Sequence, residues 1–252
     1  MIETLGIVGY GQFGAFLEKV AERFVPGIRV RIHSRRAEPD NDRFFSLDEV
    51  CQCDVVIIAS AIGQFAATLD AVVPRLGKRS VLADVATVKL HTAELLKSQA
   101  ARSGKPLRYI ATHPMFGPHS YSKIGQSLQG LRIVLTDHSL EPAVYDDVKA
   151  ALNSVGLVVL EMSADQHDRA LAETLFLTHY IGQVVTHGDF LRTEIDTLSF
   201  GFLMDAVESV RQDGDLFRDV YRFNPHCRAV VKRFEAAEGK VARMLETFDA
   251  DG

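Results

Sequence analysis

The chain has 252 residues, of which 47% are hydrophobic and 24% are charged, and this composition is typical of a folded globular protein rather than a disordered one. The 33 acidic residues outnumber 28 scattered basic residues and leave a formal charge of -5, which argues against a surface for nucleic acid or for an anionic membrane. The three cysteines form no CxxC pair, no apolar run reaches the about 18 residues that span a bilayer, and no charged leader precedes the first apolar segment. We therefore expect a cytoplasmic protein, and a mature form without its leader is the alternative.

Short β-rich segments alternate with helical segments through the first 160 residues. This order predicts βαβ units and a mainly parallel sheet with helices on both faces. The seven predicted strands are residues 5–8, 29–33, 55–60, 81–84, 109–112, 133–135 and 158–160. We therefore expect residues 1–161 to form an α/β domain of the Rossmann type, a doubly wound parallel sheet.

The β-branched runs stop after Leu160, and the rest of the chain is predicted to be helical. Ser163 and Gln166 have the spacing of a capping box, which marks the start of a helix. The apolar, helix-periodic stretches 171–185 and 198–210 are longer than a small helical lobe can bury by itself. We therefore expect residues 162–252 to form an all-helical domain that binds substrate and joins two copies into a homodimer.

A glycine-rich turn directly follows the first predicted strand and opens the first helix. In such a turn Gly9 permits the tight bend, Gly11 lets a pyrophosphate approach the backbone, and Gly14 lets the helix pack closely on the strand. Gln12 and Phe13 lie between these glycines and are included in the predicted site. The context of strand, turn and helix predicts a dinucleotide site, and a purely structural glycine turn is the alternative.

The residues after the second predicted strand indicate which dinucleotide is bound. An NAD site usually has Asp or Glu about 20 residues beyond the glycines, whereas this chain has Ser34, Arg35 and Arg36. A hydroxyl and two guanidiniums suit a 2′-phosphate, so the segment favours NADP, although a solvated basic loop is the alternative, especially for Arg36. Ser60 and Asp84, at the carboxyl ends of the third and fourth strands, complete the predicted cofactor site.

His113 directly follows the fifth predicted strand. In an open parallel sheet, ligands bind just beyond the carboxyl ends of the strands. Two prolines stiffen the loop after it, and an imidazole with an ordinary pKa of ~6.5 is largely neutral at pH 7. His113 is therefore a candidate general base, and a structural histidine is the open alternative.

Together, several segments resemble the prephenate/arogenate dehydrogenase family, especially the plant-type arogenate dehydrogenases. The segments are residues 9–14, 84–89, 113–118, 161–169 and 176–180. The resemblance extends from residue 4 to residue 226 or so. It implies oxidative decarboxylation of arogenate to tyrosine with hydride transfer to NADP.

Residue by residue, the resemblance implies that His113 takes the proton of the hydroxyl at C4 of the substrate ring. Thr87 stands beside the same hydroxyl, at a position where the family usually has Ser. His179 matches a histidine that faces the substrate, and Thr197, farther along the same aligned stretch, is a further candidate for substrate binding. The resemblance implies no metal site.

The residues that would choose the substrate are of mixed type. Asp213 matches an acidic residue of the plant-type enzymes that would pair with the ammonium of arogenate, but the segment is one residue shorter than the plant pattern, so Asp215 is the alternative. Arg222 instead resembles an arginine of the bacterial prephenate dehydrogenases that helps to hold a substrate carboxylate. Prephenate, or both substrates, therefore remains the alternative to arogenate.

Two other classes of function stay open at this point. One is an NADP reductase of small imines or hydroxy acids, built likewise from a Rossmann domain and a helical dimerising domain. The other is a protein that binds NADPH and has lost the chemistry.

Overall fold

The computed structural model describes residues 2–104 and 106–250, which form two compact units. The first unit ends at His167 and the second begins at Asp168. This division lies inside a helix, Ala164–Leu171, and so comes later than the predicted domain boundary after residue 161. Within the described residues, no helix is both long and apolar enough to cross a membrane.

The first unit is built on a seven-stranded sheet with the strand order β2-β1-β3-β4-β5-β6-β7. Its strands are β1 (Thr4–Val8), β2 (Arg29–His33), β3 (Val55–Ile58), β4 (Val81–Asp84), β5 (Tyr109–Pro114), β6 (Arg132–His138) and β7 (Val158–Glu161). All neighbouring strands are parallel except β5 and β6, which are antiparallel. The seven predicted strands are all present, and the expected Rossmann-type fold is confirmed.

Helices cover both faces of this sheet. They are α1 (Gln12–Phe24), α2 (Leu47–Val50), α3 (Phe65–Val72), α4 (Lys89–Arg102), α5 (Pro118–Lys123) and α6 (Pro142–Ser154). Because successive strand residues point to opposite faces, Leu82 of β4 packs in one apolar core with α3, whereas Val81 and Ala83 pack in the other with α6. All four residues of β4 are buried, which explains why its sequence is a continuous apolar run ended by Asp84.

The second unit consists of helices. Helix α7 (Ala164–Leu171) continues through a π-helical turn (Ala172–Phe176) into α8 (Leu177–His187), and α9 (Leu198–Val210), α10 (Gly214–Phe223) and α11 (Cys227–Ala250) follow. The capping box predicted at the start of α7 is present, because Ser163 N donates to Gln166 Oε1 at 3.0 Å and Gln166 N donates to Ser163 Oγ at 3.2 Å. The absence of further strands among the described residues of this unit agrees with the prediction.

Aromatic rings and one glycine hold the second unit together. The ring of Phe176 stacks on Phe217 at 5.4 Å and on Tyr221 at 5.9 Å, so the π-helical turn packs against α10. A Cβ on Gly182 would lie 2.5 Å from Cγ2 of Val210, so the glycine lets α8 and α9 approach closely.

Candidate functional site

A cavity of about 500 Å³ lies at the carboxyl ends of β1, β2 and β3. The predicted cofactor residues that line it are Gly9, Gly11, Ser34, Arg35, Arg36 and Ser60. Small and apolar side chains of α3, such as Ala67 and Val72, supply another part of the wall. The cavity therefore joins the glycine turn, the basic segment after β2 and an apolar surface that could accept a flat ring.

The glycine turn has the backbone geometry that a pyrophosphate site requires. Gly9 has φ +107°, which favours glycine, and its N–H donates to the His33 carbonyl at 2.9 Å. A Cβ on Gly14 would lie 2.2 Å from the Gly9 carbonyl oxygen, so only glycine permits this close packing of helix on turn. A Cβ on Gly11 would meet nothing within 4 Å, which leaves the backbone open on that side.

The N-terminus of α1 is available to an anion. Gly11 is its N-cap residue and supplies no side chain to bond the first amides, and the first turn contains no acidic residue. These amides and the positive end of the helix dipole favour a phosphate group. Gln12 and Phe13 begin α1 but do not line the cavity, and the ring of Phe13 packs on Phe16 at 5.6 Å.

The segment after β2 presents its basic groups to solvent at the cavity edge. Arg35 and Arg36 are exposed, Arg36 N donates to Ser34 Oγ at 3.2 Å, and the guanidinium of Arg35 donates to the side chain of Gln64. None of the described residues that line the cavity is Asp or Glu. Two guanidiniums and a hydroxyl, with no carboxylate among the described lining residues, therefore stand at this edge of the cavity.

A cluster of Tyr10, Glu18 and Arg43 ties the loop before α2 to the glycine turn and to α1. The guanidinium of Arg43 donates to both carboxylate oxygens of Glu18, at 2.7 and 2.6 Å, and Tyr10 Oη donates to Glu18 Oε2 at 2.5 Å. Burial by itself would raise the pKa of Glu18, but the hydrogen bonds from Arg43 and Tyr10 outweigh it, so the pKa is lowered and Glu18 stays ionised. No sequence pattern marks these residues, because a scattered Glu and Arg usually lie on solvated faces.

Ser60 and Asp84, which the sequence analysis grouped together, have different surroundings. Ser60 Oγ is buried at the cavity wall and has no hydrogen-bond partner among the described residues, as expected of a group that bonds a ligand. Asp84 does not line the cavity. Its side chain is fully buried and bonds the Thr112 amide at 3.0 Å and the Lys89 ammonium at 2.5 Å.

His113 lies in β5, buried to 5% exposure, and forms a hydrogen bond with a second histidine. The bond joins His113 Nδ1 to His167 Nε2 at 2.9 Å, so Nε2 is the nitrogen of His113 that is left for a substrate. Burial, together with the neighbouring His167 and Lys89, lowers the pKa of His113 well below its usual value, which keeps the ring neutral and able to accept a proton. Thr87 is half-buried in the loop 85–88 between β4 and α4.

In the second unit, His179 and Asp213 lie side by side. His179 is buried to 5% exposure, and its Nδ1 is 2.9 Å from the Leu175 carbonyl oxygen, which can only accept. Nδ1 therefore carries a proton, and Nε2 is an acceptor whenever the ring is neutral. Nε2 lies 3.6 Å from Asp213 Oδ2, within range of an ion pair but too far for a hydrogen bond, and it has no hydrogen-bond partner among the described residues.

The other substrate-binding candidates of this unit lie in more exposed places. Thr197 caps α9, where its Oγ1 accepts from Phe200 N at 3.3 Å. Asp215 is exposed and pairs with Arg218, so its position supports Asp213 rather than Asp215 beside His179. Arg222 is exposed near the end of α10, and its guanidinium lies over the Phe223 ring at 5.1 Å.

The sequence of this chain matches a known protein family. A family model described as the nucleotide-binding domain of prephenate dehydrogenase matches residues 36–161, which are 126 of the 252 residues. The chain belongs to the prephenate dehydrogenase family. The resemblance inferred from the glycine turn and the later segments is therefore confirmed.

Relatives of known name agree with membership of the prephenate dehydrogenase family. Arogenate dehydrogenase 2 of Arabidopsis thaliana, named as chloroplastic, is 28% identical over 96% of this chain and 69% of its own length. The chain is 27% identical to arogenate dehydrogenase 1 of the same plant over 92% of its length, but spans only 38% of that protein. A cyclohexadienyl dehydrogenase of Zymomonas mobilis is 23% identical over 100% of this chain and 91% of its own length.

Solved structures show that the fold is that of prephenate dehydrogenase relatives. Prephenate dehydrogenase from A. aeolicus, in complex with hydroxyphenyl propionate and NAD+, superimposes with a TM-score of 0.73 at 19% identity, over 97% of this chain and 91% of that chain. Synechocystis arogenate dehydrogenase gives a TM-score of 0.63 at 18% identity, over 98% and 92% of the two chains.

His167 is a further residue of the candidate site to which no sequence pattern pointed. It stands within the segment 161–169 on which the resemblance to the prephenate dehydrogenase family was based, but it was given no role. A lone histidine on a helix does not reveal which strand residue it meets. The contact joins a residue of α7 to a residue of β5 that lies 54 positions earlier in the chain.

Proposed function

We propose that this protein is an NADP-dependent dehydrogenase that oxidatively decarboxylates arogenate to tyrosine. The proposal rests on family membership for the type of reaction, on the basic cavity edge for the cofactor, and on His179 and Asp213 for the substrate. The last of these observations carries the choice of arogenate.

His179 and Asp213 together form a pair of hydrogen-bond acceptors. Nε2 of His179 is buried without a partner among the described residues, and the Asp213 carboxylate lies 3.6 Å away. The ammonium of arogenate has three N–H donors and can satisfy both groups at once. The keto group of prephenate has no donor and would leave a carboxylate desolvated and unpaired, which is costly.

His113 serves the ring end of the substrate in this proposal. Its neutral imidazole takes the hydroxyl proton through Nε2 while the ring carboxylate leaves as carbon dioxide and the ring becomes aromatic. A bound nicotinamide would supply the acceptor for the hydride that leaves C4. His167 holds the imidazole by its Nδ1, so His113 keeps one orientation while the proton moves.

The residues of the cavity suit NADP. Ser34, Arg35 and Arg36 would hold the 2′-phosphate, the open amides at the start of α1 would hold the pyrophosphate, and the buried Ser60 hydroxyl would gain the partner it lacks among the described residues. Exposed apolar side chains on the second unit support the homodimer as a further part of the proposal. The most exposed of them are Ile195, Leu198, Phe202 and Phe248, between 66% and 88% exposed. The cytoplasmic location expected from the sequence also stays a prediction.

The test is to measure kcat/KM for arogenate and for prephenate, each with NADP and with NAD, on the wild type, Asp213→Asn and Asp215→Asn. We expect kcat/KM for arogenate with NADP to exceed that for prephenate by about 10-fold or more. Asp213→Asn should remove most of this difference, because it deletes the carboxylate charge that would pair with the ammonium of arogenate. Asp215→Asn is the matched control and should leave the preference unchanged.

Three outcomes would contradict parts of the proposal. A lead for prephenate, or for both substrates equally, would keep the family reaction and reject Asp213 as the selecting group. A lead for NAD would reject the role of the basic segment. Failure of both substrates to reduce either cofactor would reject the proposed reaction itself.

A further inference from the structure

Lys89 and Asp84 form an ion pair that is shut off from solvent. Both side chains are 0% exposed, and Lys89 Nζ lies 2.5 Å from Asp84 Oδ2. Moving two charges out of water is costly, and a buried ion pair is weak evidence for added stability. Added stability therefore does not explain this ion pair, and its other hydrogen bonds indicate its role.

The pair binds both polar groups of one peptide residue, Thr112. Asp84 Oδ1 accepts from Thr112 N at 3.0 Å, and Lys89 Nζ donates to the Thr112 carbonyl at 2.5 Å. The Thr112 hydroxyl in turn donates to the Asp84 carbonyl at 2.5 Å. The residue that immediately precedes His113 is thus held by three hydrogen bonds to the end of β4 and the start of α4.

This anchoring occurs where the sheet is irregular. The register between β5 and β6 shifts between Ala111 and Thr112, one residue before His113. Such irregularities bend a strand and redirect the following side chains, and they occur often beside active sites. A strand that is free to relax at this position would turn the His113 ring away from its bond with His167.

We propose that Lys89 and Asp84 are positioning residues that fix the direction in which His113 leaves β5. This inference rests on the proposed function for its catalytic meaning, because His113 is the base of that reaction. It also replaces the predicted role of Asp84 in cofactor binding, since the bonds of its carboxylate run to Thr112 and Lys89 rather than to the cavity. The positive charge of Lys89 acts on His113 as well and is one of the causes of its lowered pKa, after burial and His167.

The test uses the double variant Asp84→Asn/Lys89→Met, which removes both charges together and so avoids an uncompensated buried carboxylate. The Asn oxygen can still accept from Thr112 N, but the Met side chain cannot donate to the Thr112 carbonyl. Asp84→Asn/Lys89→Gln is the second variant, because the Gln amide restores a donor without a charge. Lys97→Met, which alters an exposed lysine of the same helix, is the control.

Two readouts separate positioning from general loss of structure. The first is the 15N NMR signal of the His113 imidazole in the protein without ligands, which reports its tautomer and its pKa. The second is kcat, KM and the dissociation constant for NADPH. For the Met variant we expect a changed imidazole signal and kcat about 100-fold lower, with KM and the NADPH constant within about 2-fold, because a small misplacement of a reacting group is this costly.

The Gln variant should recover much of kcat and the wild-type tautomer, and Lys97→Met should match the wild type in every readout. The inference is overturned if the Met variant folds and its His113 signal and kcat equal those of the wild type. It is also overturned if kcat falls equally in the Gln and Met variants while the imidazole signal of each stays unchanged. If the Met variant does not fold, Thr112→Val decides, because it deletes the hydroxyl that donates to the Asp84 carbonyl. A His113 signal and a kcat equal to those of the wild type in Thr112→Val would then overturn the inference. If the wild type converts neither substrate, the proposed function fails, but the imidazole signal still tests the positioning.

Discussion

Gly11→Ala should separate cofactor binding from folding. Gly11 has φ -86° and ψ -165°, an extended conformation that alanine adopts freely, and its Cβ would meet no atom within 4 Å. Alanine gains about 0.4–1 kcal/mol by restricting the unfolded chain, and it loses a similar amount because glycine is the better N-cap residue. We therefore expect the free energy of unfolding to change by less than about 0.5 kcal/mol, while the added methyl occupies the space in which the proposal puts the pyrophosphate.

Gly14→Ala is the matched comparison, because it introduces the same methyl three residues later. Its Cβ would lie 2.2 Å from the Gly9 carbonyl oxygen, so the helix and the turn must move apart. Overpacking of this kind costs about 1–3 kcal/mol, and the about 1 kcal/mol by which alanine exceeds glycine in a helix offsets part of it. Gly14→Ala should thus lose up to about 2 kcal/mol of stability, and it should also weaken cofactor binding because the turn is displaced.

Urea unfolding without cofactor measures the free energy of unfolding of each variant. Fluorescence titration with NADPH measures its dissociation constant for the cofactor. Gly11→Ala should unfold like the wild type and bind NADPH at least about 10-fold more weakly, which corresponds to about 1.4 kcal/mol. Wild-type affinity in Gly11→Ala would show that no pyrophosphate passes close to this residue. A large loss of stability in the same variant would refute the open surroundings of Gly11 on which the reasoning depends.

Three other predictions concern the remaining groups of the site. His113→Asn should keep the wild-type dissociation constant for NADPH and lower kcat by about 10²–10⁴-fold, measured by NADPH absorbance, and a variant with near wild-type kcat would remove His113 from the mechanism. A general base must be unprotonated, and burial lowers the pKa of His113. We therefore expect kcat/KM to stay level as the pH falls from 8 past 6.5 and to decline only at lower pH. A decline centred near the ordinary histidine pKa of ~6.5 would contradict the effect of burial. Arg35→Ala should raise KM for NADP about 10-fold and leave KM for NAD nearly unchanged, since one charged hydrogen bond to phosphate is lost, whereas an equal rise for both cofactors would mean that Arg35 supports only the loop.

The sheet could be predicted because burial leaves a direct record in the sequence. A strand covered on both faces must be apolar at every position, as β4 is from Val81 to Ala83, and such runs differ from the helix-periodic stretches between them. The capping box of Ser163 and Gln166 is also a local pattern, in which both partners lie within four residues. The glycine turn is similar, because its geometry depends on residues that are adjacent in sequence.

The cluster of Tyr10, Glu18 and Arg43 could not be predicted in this way. Arg43 reaches Glu18 only because Asp40 accepts three backbone N–H groups, including that of Arg43, and so folds the chain back toward β2. The contact joins residues 25 positions apart, and nothing near Glu18 marks it as a buried carboxylate rather than a solvated one. The partners of Glu18 therefore depend on how the loop around Asp40 folds, which the sequence does not show.

Asp84 illustrates the same limit at the end of a strand. Its position at the carboxyl end of β4 is where ligands of an open sheet are bound, so a role in cofactor binding was a reasonable prediction. Which way a carboxylate points from that position depends, however, on the nearest donors, and here they are the Thr112 amide and the Lys89 ammonium. The register of β5 against β6 shifts next to Thr112, where the backbone N–H and carbonyl of Thr112 bond to Asp84 and Lys89. No sequence pattern predicts this shift. Residues at strand ends therefore reveal that they belong to a site, but whether they touch the ligand or support the residue that does is decided by backbone geometry.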